Sequence, residues 1–229
     1  MTFYIITLFP QMFDSFLKAS ILERAQNQKL LKIKFVNPRN FTQDKHKTVD
    51  DKPYGGGAGM VMKVNLIVKA LESIKPKPHV ILLSASGKKY DQKTALQLSR
   101  KKSIALICGH YEGTDARVER FVDDVLSIGD FVLTGGEIAA LAIIDSVTRL
   151  IPGVIHTESP KSESFSPLTI NHKPFTSLEY PQYTRPEEFH GLKVPKVLLL
   201  GNHKRIEQWR QKEALKRTKK FRPDLIKRD

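Results

Sequence analysis

Three stretches of this chain carry small residues where backbone would have to approach a ligand, and a fourth carries the polar groups that would meet one. Residues 126–136, L-S-I-G-D-F-V-L-T-G-G, close an apolar run with Gly129 and open the next segment with Gly135 and Gly136. A loop bracketed this way leaves its N–H and C=O groups bare and can wrap a flat ligand closely; ordinary strand-to-helix turns use glycine in the same manner. Ser84-Ala85-Ser86-Gly87 and Cys108-Gly109-His110-Tyr111-Glu112-Gly113 follow two further apolar runs. None of the three has a G-x-G-x-x-G opening a helix or a G-K-[ST] ending, which argues against NAD and ATP. Residues 44–62 set Lys45, His46, Lys47, Asp50, Asp51 and Tyr54 beside four glycines in five positions. Such side chains can hold phosphates, a base edge or a metal-bound water. A loop of this length inside a compact domain is functional or disordered, and we read it as a substrate loop. Asp145 and Arg149 stand one helical turn apart, where the simplest role is to pair with each other near a helix end.

The elements that must position these loops are legible from periodicity. Apolar runs at residues 3–8, 33–36, 80–83, 104–107 and 125–128 are nearly continuous, as strands covered on both faces require. Between them, helical patterns span 13–26, 64–73, 92–101 and 137–150, the first with Phe16, Leu17, Ile21 and Leu22 on one stripe. Alternation of the two kinds predicts an α/β domain with a largely parallel sheet over residues 1–157. Ligands of such sheets sit beyond the carboxyl ends of the strands, which is where the three glycine-bearing loops fall. Residues 158–185, rich in Ser, Thr and Pro without periodicity, read as a linker that can also serve as a lid. Residues 186–229 read as a small helical domain, with Trp209 as its core rather than a base-stacking platform.

Charge divides the chain in the same place. Lys and Arg outnumber Asp and Glu by 38 to 24, and residues 190–229 hold thirteen of the former against four of the latter. A concentrated basic segment points to a polyanion, most often nucleic acid; the bland alternative is a solvated helix kept for solubility. One cysteine allows no internal disulfide, and no apolar run approaches membrane-spanning length, so a cytoplasmic, soluble protein without membrane attachment is expected.

Six motifs, in order, carry a resemblance: T-V-D-D-K-P-Y-G-G-G-A-G-M at residues 48–60, C-G-H-Y-E-G at 108–113, S-I-G-D-F-V-L-T-G-G-E at 127–137, D-S-V-T-R-L-I-P-G-V at 145–154, Y-T-R-P at 183–186 and G-N-H at 201–203. They resemble the bacterial tRNA (guanine-N1)-methyltransferase family of trefoil-knotted (SPOUT) methyltransferases. The resemblance implies an α/β fold with a knotted, mostly parallel sheet flanked by helices, plus a small helical C-terminal domain. It implies S-adenosylmethionine as methyl donor, held bent in the knot at Leu82, Leu83, Ser84, Gly109, Tyr111, Glu112, Gly113, Ser127, Ile128, Gly129, Asp130, Phe131, Val132, Leu133, Gly135 and Gly136. For tRNA it implies His46, Asp50, Tyr54, Gly55, Lys63, Arg185 and His203. A homodimer with its active site between subunits, a C-terminal domain gripping the anticodon arm and a need for magnesium are also implied.

The implied target is N1 of the guanine immediately 3′ of the anticodon (position 37). That nitrogen carries a proton and is a poor nucleophile until a base removes it, while an arginine can stabilise charge growing on O6. In the family these roles belong to the aspartate of an E-D-S-F motif and the arginine of S-V-x-R. The arginine maps to Arg149; at the aspartate this chain reads Ser162-Glu163-Ser164-Phe165, which puts Glu163 in the role. His110, Ala85, Ala139 and an extended segment over 165–183 are further departures. The alternatives are a related knotted methyltransferase acting on another RNA base or on ribose, and a non-catalytic RNA-binding protein of the same fold.

Overall fold

The computed structural model describes residues 1–156, 163–170 and 173–226, without the side chains of 166–170 and 173–175. It divides into two compact units, Met1–Ile155 and His156–Asp229. The first is built on five parallel strands: β1 (Thr2–Ile6), β2 (Lys32–Val36), β5 (His79–Lys89), β6 (Ser103–Cys108) and β7 (Asp124–Ser127). They lie in the order β2-β1-β6-β5-β7. The continuous apolar runs follow from burial on both faces. Phe3 and Ile5 of β1 join one core cluster while Tyr4 and Ile6 join the other, and β6 divides in the same way between Ile104 and Leu106 on one side and Ala105 and Ile107 on the other. The first cluster is covered by α2 (Ser20–Asn27), α4 (Gln92–Leu98) and α5 (Glu137–Thr148), the second by α3 (Val64–Glu72).

Two elements differ from the sequence expectation. The helix expected over 13–26 is broken into a 3-10 turn (Pro10–Phe13), α1 (Asp14–Leu17) and α2, with Ala19 extended and Ser20 at φ 52°. The break resets the register: Phe13 and Leu17 are buried before it and Leu22 and Ala25 after it, whereas Phe16, expected on the inward stripe, is exposed. Ser84–Gly87 is not a free loop either. β5 runs through it and slips register against β7 between Leu83 and Lys88, so the small residues form a bulge. Gly87 permits that bulge, since a Cβ there would lie 2.7 Å from the Leu126 backbone.

Residues 44–62, expected to hold no regular element, are closed at their base by a short antiparallel ribbon of β3 (Asp50–Asp51) and β4 (Val61–Met62). Val49 and Met62 are buried under it, and Tyr54 stands fully exposed at its tip.

In the second unit, part of the stretch read as a linker is a hairpin, β8 (Ser166–Ile170) paired with β9 (Lys173–Ser177). It is tied to a long helix: Leu178 N–H donates to Thr218 Oγ1 at 2.9 Å. A two-residue ribbon, β10 (Glu188–Phe189) with β11 (Leu192–Lys193), and a short α6 (Lys196–Leu199) lead into that helix, α7 (His203–Phe221). Trp209, expected in the core, is half-buried and meets the Tyr183 ring at 6.3 Å, while Ala214 and Thr218 are the buried positions of α7. Among the described residues no helix is long and apolar enough to cross a membrane.

Candidate active site

At the carboxyl ends of β5, β6 and β7 the bulge and two loops enclose a cavity of about 340 Å³. Every residue expected to hold the donor lines it except Asp130, whose exposed carboxylate faces Lys89 Nζ at 3.6 Å. Sequence reasoning left out Thr114, Ala116, Glu119 and Thr134, which also line it. Their signal was weak, because the short helical turn that carries two of them, Ala116–Phe121, has no periodicity long enough to read.

Backbone packing explains the glycines. Gly136 N–H donates to Gly109 O at 2.8 Å, joining the second loop to the third. A Cβ on Gly136 would lie 2.7 Å from Cys108 Cα and 3.1 Å from Gly109 N, both backbone atoms that cannot yield. Gly129 is different from its sequence reading: the atoms nearest its Cβ would be those of the Phe131 ring, the end of a side chain that is 53% exposed. We therefore expect Gly136→Ala to weaken donor binding by roughly 10–100-fold, since overpacking costs ~1–3 kcal/mol, and Gly129→Ala to be much milder. Calorimetry on both variants, with thermal unfolding as control, checks this; equal affinities would show that the cavity wall is not the donor's seat.

The loop over 44–62 is stitched to the rim. Glu112 N–H donates to Met60 O and Met62 N–H to Gly113 O, both at 3.0 Å, and Gly59 packs directly on the Glu112 side chain. Gly55, Gly56, Gly57 and Gly59 all take positive φ there. Of the residues expected to meet RNA, His46, Tyr54 and Gly55 are exposed on this loop, Asp50 is half-buried, and Lys63 pairs with Asp51 at 3.4 Å. Hydrogen bonds from the Lys52 backbone and Lys63 hold the Asp51 carboxyl below its ordinary range. Arg185 and His203 are exposed in the second unit.

Arg149 caps the carboxyl end of α5 and is half-buried. Ala139, in the first turn of the same helix, lines the cavity. The ten-residue step from one to the other spans roughly 15 Å of helix axis. Within one chain Arg149 and the cavity thus lie at opposite ends of α5. Glu163 is half-buried at the start of the second unit's described segment. Its neighbours are fastened, with Ser164 Oγ accepting from Glu179 N–H at 3.1 Å and Phe165 N–H donating to Ser177 O at 2.7 Å. These bonds join the segment that carries Glu163 to the end of β9.

The cavity fits a nucleoside-bearing donor: Gly109, Gly113, Gly129, Gly135 and Gly136 leave backbone bare along a wall that also carries Leu83, Ile128 and Leu133. For the implied magnesium, no group of three His, Cys, Asp or Glu side chains suited to a metal occurs among the described residues; an Mg²⁺ that keeps its waters and rides on RNA phosphates needs none.

A parallel sheet whose carboxyl-end loops wrap one glycine-lined cavity, consistent with the knotted arrangement, defines an α/β nucleoside-cofactor enzyme. The chain belongs to the family described as tRNA (Guanine-1)-methyltransferase TrmD, which it matches over residues 1–228. It is 53% identical over 226 residues to the tRNA (guanine-N(1)-)-methyltransferase of Dictyoglomus turgidum, covering 98% of this chain and 89% of that protein. With the enzyme of the same description from Carboxydothermus hydrogenoformans the identity is 54% over 226 residues, 97% of this chain and 86% of the relative.

Proposed function

We infer that this protein transfers a methyl group from S-adenosylmethionine to N1 of guanine 37 in tRNA. The observation that carries the reading is the union of a glycine-lined cavity with a polar, glycine-rich loop hydrogen-bonded to its rim, in a chain that matches its family nearly end to end. When bound, the donor supplies an electrophilic methyl on a sulfonium and leaves as S-adenosylhomocysteine. The side chains supply the rest. Glu163 takes the N1 proton, so that the nitrogen lone pair can form the new C–N bond, and Arg149 stabilises the charge that builds on O6. The exposed loop around Tyr54 offers a stacking surface and phosphate contacts beside the cavity.

We further propose that two copies assemble the active site. The separation of Arg149 from the cavity along α5 supports this, because a second chain can present its own Arg149 where one chain cannot. A surface hollow of about 370 Å³, lined by Ser15, Phe16, Ile21, Leu22 and Asp145, with Phe16 and Met12 exposed, offers an apolar face for that contact. The basic second unit would hold the anticodon arm, and a cytoplasmic location follows from the substrate.

Mass analysis of tRNA nucleosides after incubation with S-adenosylmethionine tests the reading. N1-methylguanosine is the expected product. A 2′-O-methyl nucleoside would move the chemistry to ribose, and no product at all with intact tRNA binding would leave a binding protein.

A further inference from the structure

Where the second and third cavity loops meet, two polar atoms are buried without a hydrogen-bond partner: Nδ1 of His110 and Oε2 of Glu137. They are neighbours across Gly135, since a Cβ built there would press on both, and His110 and Gly135 already bridge through their backbones. Gly135 is thus a glycine because its Cα is clasped between a carboxylate and an imidazole, not because of its backbone angles.

Glu137 is 1% exposed. Its Oε1 accepts from the Thr7 hydroxyl at 2.7 Å, and Thr7 Oγ1 in turn accepts from Phe9 N–H at 2.9 Å. The single hydroxyl proton of Thr7 is then fully used. A place in the first turn of α5 favours a carboxylate, but an oxygen that has left water and found no donor is destabilising. Two donors lie near. The Cys108 thiol is buried and weak; burial, and then the Glu137 charge, push its pKa well up. The other is His110, whose ring sits between Phe9 at 4.7 Å and Tyr111 at 4.9 Å.

We propose that His110 is a positioning residue: its Nδ1–H donates to Glu137 Oε2 after a small rotation of either side chain. The chain Thr7–Glu137–His110 then ties the end of β1, the start of α5 and the loop after β6 into one polar link under the cavity. The link fixes the Gly135–Gly136 wall and so sets donor affinity; this consequence rests on the cavity being the S-adenosylmethionine site.

Two substitutions separate a donor from a space-filler. His110→Asn keeps an N–H close to the Nδ1 position but loses the ring; His110→Phe keeps the ring against Phe9 and Tyr111 but loses the N–H. In the full-length protein without donor, the Asn variant should melt closer to the parent than the Phe variant. With S-adenosylmethionine in calorimetry, the Asn variant should bind within about threefold of the parent and the Phe variant roughly tenfold or more weaker, the scale of one buried unpaired oxygen. The loss should fall on KM for the donor, not on the single-turnover rate at saturating donor. A Phe variant that matches or exceeds the Asn variant in melting overturns the link. A parent that fails to bind S-adenosylmethionine overturns the cavity assignment instead, and leaves the melting order to judge the link alone.

Discussion

Glu163→Gln is expected to slow single-turnover methylation by ~10²–10⁴, the usual loss when a positioned base is removed, with donor and tRNA affinities nearly unchanged. The competitor is close at hand. Glu179 lies beside the same segment, its N–H bonded to Ser164 Oγ, so proximity in the fold does not choose between the two carboxylates. Exposure and sequence position do. Glu163 is half-buried next to a fastened Phe165 while Glu179 is exposed, and a base that must strip one proton gains from a fixed backbone. Glu163→Asp should keep a measurable part of the rate, since it shortens the arm without removing the carboxylate, and Glu179→Gln should be milder than Glu163→Gln. Near-normal chemistry in Glu163→Gln, or a larger loss in Glu179→Gln, would sink the assignment.

What the sequence disclosed followed from how local each signal is. Strand positions were legible because residues such as Phe3, Ile5, Ile104 and Leu106 are covered on both faces and leave an unbroken apolar run. The cavity loops were legible because glycine spacing reports close backbone approach, and at Gly136 the backbone of Cys108 is what approaches. The break at Ala19 was not, because it answers to the tertiary need to turn Leu22 and Ala25 inward, while the local pattern reads equally well as one helix. Nor was the hairpin of β8 and β9, whose Pro167 and Pro174 and polar positions spoil the alternation that announces a strand. The approach of His110 and Glu137 across Gly135 depends on residues twenty-seven positions apart meeting at a loop junction, for which no periodicity exists.

Removing residues 156–229 is expected to weaken tRNA binding by orders of magnitude while donor affinity stays close to that of the parent. The cut belongs at the boundary between the two units rather than at residue 190, because Leu178 is bonded to Thr218 and a later cut would strip the hairpin of its helix. The lost segment includes α7, whose exposed Lys204, Arg205, Lys212, Arg217, Lys219 and Lys220 form a cationic surface. The reason to expect a large effect is counterion release: a protein that neutralises about six phosphates loses on the order of 10³ in affinity between 50 and 200 mM salt. Filter binding or fluorescence titration across that range should give a steep slope for the full chain and a shallow one for the truncated chain, with S-adenosylmethionine calorimetry confirming that the remaining unit is folded. A truncated chain that keeps both its tRNA affinity and its salt slope would place the RNA grip on the first unit, around the exposed loop of Tyr54 and the cavity rim.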